Sequence, residues 1–381
     1  MKDKILKIAI ITNVIPTYRE GFYDRLFSRK DVLVKVYCQD KIPGMNLKYV
    51  HSKYPNNCKL VKCISINREK LAWQFIPCSE ILNDYDVIFI MGNPRILSNV
   101  LFGSFLSLFQ KKVIAWTTAH SPSSKVLSEK IRLFWLRSFN FIFLYTDADV
   151  DYLHRKGFTK NYMLGMNNGL DQKQIDAAML LWSENRLHEW RIKHDLGNHR
   201  LLLSCARLEP KNKFEQVIKA LPAIVNQVPN ILWCVIGSGT EQAELASSVN
   251  IAGLANHVRF IGELYNEEEL APWFLSSELF VHPAAIGLSI MHAFGYGLPV
   301  VTHGTPELHY PEYAAFESEL TGRNFRINDI QHLSETVIGL LDDNEARLYM
   351  KSYLLKIARE KYNVDVMVER FVQIAKASFN A

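Results

Sequence analysis

The sequence predicts an α/β protein with two doubly wound parallel sheets, one in each half of the chain. Short apolar, β-branched runs alternate with helix-length segments, and they do so in two consecutive sets. Strands that are apolar along their whole length suit a parallel sheet covered by helices, because neither face of such a strand meets water. The 381 residues also fit two domains at roughly 150 residues each.

In the first half the predicted strands are Lys7–Thr12, Val32–Tyr37, Val87–Met91, Val113–Trp116 and Phe141–Tyr145. In the second they are Leu201–Cys205, Ile231–Ile236, Val258–Ile261, Leu279–Val281 and Val300–Thr302. The turn-rich stretch Asn167-Asn168-Gly169-Leu170-Asp171 marks the seam. This gives an N-terminal domain over residues 1–170 and a C-terminal domain over 171–360. In residues 361–381, Val364, Val366, Met367, Phe371, Val372 and Ile374 predict a closing helix that packs back toward the N-terminal domain.

With 48% hydrophobic and 22% charged residues, the chain is neither disordered nor collagen-like. No apolar run reaches the ~18 residues of a membrane span. The run Ile8–Ile11 lacks a small-residue cleavage site and reads as a strand, not a signal peptide. Six cysteines form no CxxC pair and have no histidine at zinc-ligand spacing, which predicts a reducing, cytoplasmic compartment.

The net charge of +5 conceals an asymmetry. Residues 1–170 hold 25 Lys and Arg against 13 Asp and Glu; the remainder holds 19 against 26. A basic half suits nucleic acid, anionic lipid or a phosphorylated substrate. Nucleic acid has only the charge behind it, with no recognised module, and is not expected.

The most informative segment runs from His282-Pro283-Ala284-Ala285-Ile286-Gly287-Leu288-Ser289 to Gly297-Leu298-Pro299-Val300-Val301. A strand leads into a glycine loop, a short helix and a second strand. Such a junction exposes backbone N–H groups at a helix start, where a phosphate binds. The N–H groups of Leu288 and Ser289, with the Ser289 hydroxyl, are the natural donors; an ordinary strand–helix turn is the alternative.

With its neighbours, this segment resembles the second half of the GT-B glycosyltransferases, specifically the retaining group 1 (family 4) enzymes. Pro283, Gly287, Leu288, Ala293, Gly297, Pro299, Val300 and Val301 match the family's pattern here. Upstream, Ala206-Arg207-Leu208-Glu209-Pro210 with Lys213 resembles its phosphate clamp, for which Lys211 is the rival lysine. Val235-Ile236-Gly237-Ser238-Gly239 resembles its Gly-x-Gly loop, Val258–Gly262 its base-pocket strand, and Asn168-Gly169-Leu170-Asp171 its domain-junction turn. One departure stands out. The family's two spaced glutamates, which meet the donor sugar and the ribose, fall on Ala284 and His292.

The resemblance implies two Rossmann-like domains facing across a cleft and sugar transfer from a nucleoside diphosphate without a metal cofactor. Arg207 and Lys213 would neutralise the departing diphosphate. Gly237, Gly239 and Gly262 would let the backbone approach phosphate or base, and His292 would reach the ribose through a ring nitrogen. Glu312, in Tyr310-Pro311-Glu312, matches a Pro-Glu pair bordering the phosphate and ribose. His120, after the strand Val113–Trp116, falls where the family places an active-site histidine, and a loop histidine without a role is the alternative. Arg19, after the first strand, suits an acceptor or phosphate contact, or else is a loop charge.

The Asp147-Ala148-Asp149 pair mimics a metal-binding Asp-x-Asp, but capping of a helix start explains it sufficiently. Leu101 to Phe109 with Lys111-Lys112, and Leu127 to Trp135 with Lys125, Lys130, Arg132 and Arg137, combine apolar and basic residues at helical spacing. Such helices suit peripheral contact with an anionic membrane at the inner face of the plasma membrane. Core helices with basic edges are the alternative. The acceptor that the resemblance implies is a lipid-linked glycan of O-antigen, capsule or exopolysaccharide assembly. A same-fold epimerase or hydrolase, and a non-catalytic partner subunit, remain the other two functional classes.

Overall fold

The computed structural model describes residues 5–41, 49–66, 71–108, 112–119 and 126–381. It divides into one unit of residues 1–168 and 364–381 and a second of residues 169–363.

The first unit holds strands β1 (Leu6–Ile11), β2 (Val32–Cys38), β3 (Cys58–Leu60), β4 (Cys63–Ile66), β5 (Leu71–Gln74), β6 (Val87–Met91), β7 (Val113–Thr117), β8 (Phe141–Leu144) and β9 (Tyr162–Gly165). Seven of them form a parallel sheet in the order β3-β2-β1-β6-β7-β8-β9. The inserted pair β4 and β5 makes a separate antiparallel hairpin. The order reverses between β1 and β6, opening a crevice at the carboxyl ends of those strands.

The second unit holds β10 (Arg200–Cys205), β11 (Ile231–Ile236), β12 (Val258–Gly262), β13 (Ser277–His282), β14 (Val300–His303) and β15 (Gly322–Phe325). Their order, β12-β11-β10-β13-β14-β15, is that of a dinucleotide-binding sheet, and every pairing is parallel. Its switch point lies between β10 and β13. The exit loops at 206–213 and 283–288 therefore flank one crevice.

All ten predicted strands are present, with ends shifted by no more than two residues. The sequence reading missed β3, β4, β5, β9 and β15. These are edge or hairpin strands of three or four residues, with polar members such as Lys59, Arg323 and Asn324. Edge strands meet water on one side, so the continuous apolar signal is absent.

The closing helix Val364–Asn380 belongs to the first unit. Phe371 is fully buried and stacks on Phe89 at a centroid distance of 4.0 Å, with Phe22, Trp116 and Phe143 around it. Arg370 adds an ion pair to Asp147 (2.6 Å) and a hydrogen bond to the Gly165 carbonyl (2.7 Å). The helix thus covers one face of the first sheet although the second unit separates it in sequence. Phe371→Ala should cost the first unit about 3–5 kcal/mol through lost burial and a cavity. Chemical denaturation followed by circular dichroism measures it, and a loss below ~1 kcal/mol would show that the helix does not complete this core.

Candidate functional site

The second unit's crevice is built by close contact between chain segments. After β10 and β11 the backbones continue side by side: the Ala206 N–H donates to the Ile236 carbonyl (3.0 Å) and the Leu208 N–H to the Ser238 carbonyl (2.8 Å). Gly237 has φ +134°, and a Cβ there would lie 2.0 Å from the Ala206 oxygen; one at Gly239 would lie 2.2 Å from the Leu208 oxygen. The glycines of the Gly-x-Gly loop are therefore required by neighbouring backbone. Gly262, at φ +88°, accepts the Gly237 N–H at 2.8 Å.

The exit of β10 carries the cations. Arg207 is exposed, and its guanidinium makes no hydrogen bond or ion pair with a described residue. Its carbonyl accepts from Asn212 Nδ2 (2.6 Å), which fixes the turn. Lys213 sits in the left-handed region (φ 51°), and its Nζ donates to Asn328 Oδ1 (3.1 Å). Lys211 is exposed, with its ammonium 6.0 Å from the centre of the Tyr310 ring.

Opposite these, the loop Pro283–Leu288 is pinned at three points. His282 Nδ1–H donates to the Ala284 carbonyl (3.2 Å). The Ile286 N–H donates to His309 Nδ1 (3.1 Å), and the Ile286 carbonyl accepts from the Tyr310 N–H (3.1 Å). Gly287 lies against the Tyr310 ring, where a Cβ would come within 3.2 Å. The N–H groups of Leu288 and Ser289 have no hydrogen-bond partner among the described residues and open the helix Ser289–Gly295. Ala284 itself is a buried, apolar position.

His292 is already engaged. Its Nε2 meets Glu267 Oε1 at 2.8 Å, and Tyr296 donates its hydroxyl to Glu267 Oε2 at 2.7 Å. Only Nδ1 is left for a ribose. Burial pushes the Glu267 carboxyl up, but the hydrogen bonds and charge from His292 and the Tyr296 hydroxyl outweigh it and hold the group below its ordinary range. Glu312 is buried in the short helix Pro311–Ala315.

In the first unit, Arg19 is 6% exposed and is no solvated loop charge. Its guanidinium lies 5.6 Å from the Tyr18 and Tyr145 rings and 6.0 Å from Trp116, with Nη1 at 3.7 Å from Met166 Sδ. His120 lies outside the described residues. Asp149 accepts from the Ala119 N–H (3.1 Å) and from its own cap, Thr146 Oγ1 (3.2 Å); Asp147 pairs with Arg370 and accepts from Asn167 Nδ2 (2.7 Å). The cap of this helix is Thr146, whose hydroxyl accepts the Asp149 N–H (3.1 Å), so the two carboxylates flank the helix start without capping it.

Sequence reasoning did not single out Glu267, His303, His309 or Asn328. They come from separate segments, and Asn328 is 115 positions from Lys213. No local pattern announces such partners.

Comparison with known proteins completes this description. Residues 188–356 match the family model described as "Glycosyl transferases group 1". Over 190 residues the chain is 24% identical to a GDP-mannose-dependent monoacylated alpha-(1-6)-phosphatidylinositol monomannoside mannosyltransferase of Corynebacterium glutamicum, covering 46% of this chain and 47% of that one. It is 30% identical over 105 residues to the lipopolysaccharide core biosynthesis mannosyltransferase LpsB of Rhizobium meliloti, covering 27% of this chain and 28% of that one. The chain thus spans less than half the length of the curated relatives it matches. Among solved structures, Anabaena HepE in complex with UDP superposes with a TM-score of 0.73 at 15% identity, covering 98% of this chain and 100% of that one. The fold is GT-B, with two Rossmann-like domains. Within it, residues 188–356 are the part similar to the group 1 glycosyl transferases.

The histidines set a pH dependence. Burial, with the neighbouring His303, lowers His282 to about 4; burial and the Lys213 charge lower His303 to about 4; burial and His303 lower His309 to about 3. Unfolded, each titrates near ~6.5. Between those values the unfolded chain binds protons that the folded chain refuses, so stability is complete above pH ~6.5 and falls as pH drops toward 4. Each ring contributes up to about 1.4 kcal/mol per pH unit. Urea unfolding at pH 7.5 and 5.0 should show a loss of several kcal/mol, and equal stability would place these rings in contact with water.

Proposed function

We propose that this protein is a retaining glycosyltransferase that moves a sugar from a nucleoside-diphosphate donor to a lipid-linked glycan acceptor of surface-polysaccharide assembly. One observation carries the reading: the cations at the exit of β10 and the unpartnered N–H groups of Leu288 and Ser289 flank the switch point of a dinucleotide-binding sheet. The family match spans these same residues, and relatives of this segment are named for mannosyl transfer to glycolipid and lipopolysaccharide.

In the proposed step the bond from the sugar's anomeric carbon to the diphosphate oxygen breaks. The acceptor oxygen bonds that carbon from the same face, and its proton passes to the departing diphosphate. Arg207, Lys213 and the two N–H groups would stabilise the charge that develops on the leaving group, which favours the transition state over the ground state. Gly237, Gly239 and Gly262 hold the walls of the site, and His292 and Glu312 border the ribose side. His120 would orient a sugar hydroxyl, and Arg19 would serve the acceptor side.

No divalent metal enters the proposed step. Asp147 and Asp149, the nearest approach to a metal motif, already hold Arg370, Asn167 and the Ala119 N–H. The same reading puts the first unit at an anionic membrane surface in the cytoplasm. Leu101, Phe105, Ile131 and Phe134 are exposed on the helices Leu97–Leu108 and Val126–Leu136, and Phe134 is 80% exposed. Trp135 Nε1 ties the two helices by donating to the Val100 carbonyl (3.1 Å), with Lys130 and Arg137 exposed nearby in sequence. Apolar and basic side chains together suit anionic lipid.

Thermal unfolding with millimolar UDP, GDP, CDP, dTDP and ADP, each with EDTA, is the first test. A ligand at a hundred times its dissociation constant adds about 2.7 kcal/mol, roughly 5–10 °C for a unit of this size. One nucleotide should raise the midpoint, and Arg207→Ala and Lys213→Ala should abolish the rise while unfolding normally without ligand. No rise with any nucleotide would favour a non-catalytic partner subunit, and sugar release without acceptor would favour a hydrolase. The protein should also sediment with phosphatidylglycerol vesicles, and Phe134→Glu should prevent this; equal binding to phosphatidylcholine would overturn the membrane reading.

A further inference from the structure

The bonds that pin the 283–288 loop also fix the protons of two histidines. His309 Nδ1 accepts from the Ile286 N–H (3.1 Å), so its own proton sits on Nε2, which donates to the His303 carbonyl (2.8 Å). His303 Nδ1 accepts from the Thr305 N–H (3.3 Å), so its proton likewise sits on Nε2. Protonating either ring at Nδ1 would set N–H against N–H. Backbone geometry therefore keeps both rings neutral and in one tautomer. The rings stack at 3.8 Å, and Tyr313 stacks on the far side of His309 at 3.9 Å, which fixes their orientation.

This leaves one donor unused. His303 Nε2–H has no hydrogen-bond partner among the described residues, and it is not among the polar atoms sealed from solvent without one. His303 ends β14, and the charge of Lys213, from the exit of β10, acts on its ring. Lys213 gives one hydrogen to Asn328 Oδ1 and has two more to offer. The lysine's charge thus reaches a ring whose own donor is unused: Lys213 has Asn328 Oδ1 as an acceptor, and His303 Nε2–H has none among the described residues. An anionic oxygen satisfies both, and a neutral imidazole adds no repulsion to the lysine.

We propose that His303 binds the diphosphate of the sugar donor, giving its Nε2–H to a phosphate oxygen that Lys213 also contacts, with His309 as the positioning residue that holds the ring. This rests on the glycosyl-transfer reading above. A sugar hydroxyl would also accept a hydrogen bond, but the adjacent lysine favours the anion.

The test is calorimetric titration of wild type and variants with the nucleoside diphosphate that stabilises the protein and with its parent nucleoside. His303→Asn keeps an acceptor for the Thr305 N–H but cannot reach the Nε2 position. It should weaken diphosphate binding about tenfold or more, as loss of a hydrogen bond to a charged group does, and leave nucleoside binding unchanged. His303→Gln, whose amide reaches that position, should stay within about threefold of wild type. Equal loss for nucleoside and diphosphate, or no loss for either, would overturn the proposal. Should His303→Asn fail to fold, nitrogen-15 spectra of the wild type decide: the His303 Nε2–H signal should move and resist exchange when the diphosphate binds, and an unmoved signal overturns the proposal. A wild type that binds none of the five nucleotides overturns the glycosyl-transfer reading and this inference with it.

Discussion

The second unit's site depends on histidine side chains doing the work of backbone. The loop after β13 has no strand or helix to satisfy it. His282 donates to its Ala284 carbonyl, and His309 accepts its Ile286 N–H. A neutral imidazole offers one donor and one acceptor, so His309 can bridge this loop to the end of β14 through the His303 carbonyl. Burial keeps these rings neutral, and neutrality is what allows the bridge. The start of the helix Ser289–Gly295 is thereby fixed relative to the sheet edge.

The facing wall is fixed by the opposite means, the absence of side chains. Gly237 and Gly239 press against the Ala206 and Leu208 carbonyls at distances that no Cβ tolerates. This holds the β10 and β11 exits together and sets the turn from which Arg207, Lys211 and Lys213 project. Of these, Arg207 and Lys211 are exposed and Lys213 is tethered to Asn328. One wall is pinned by polar side chains and the other by bare backbone. Between them lie unpartnered N–H groups and cations, an arrangement suited to negative charge.

The first unit follows another economy. Its sheet is closed by a helix that the chain supplies only after completing the second unit, and Phe371 with its aromatic neighbours makes that closure apolar. Gly169 allows the chain to leave the first unit against Tyr362, where a Cβ would lie 2.1 Å from the Tyr362 oxygen, and Leu170 bridges to Asn363 beside it. Within the first unit, Arg19 is buried among aromatic rings at the carboxyl edge of the sheet. There its charge keeps reach through low-dielectric surroundings.

By itself the sequence determined the class of fold, ten strands, nine of them interior and the tenth the apolar edge strand β12, and the closing helix. Continuous apolar runs and helical spacing are local signals, and tertiary packing agreed with them. It also determined where phosphate chemistry concentrates, because glycines, cations and a strand–helix junction recur at fixed separations. The short edge strands β3, β9 and β15 had no such signal, since half of each edge faces water. The partners of the site residues were decided only by the tertiary structure. Glu267 reaches His292, Asn328 reaches Lys213, and His303 meets His309 because the parallel order β12-β11-β10-β13-β14-β15 gathers loops from distant parts of the chain at one edge. Whether a histidine is a charge, a cap or a bridge follows from which backbone groups surround it, and that is a property of the folded chain.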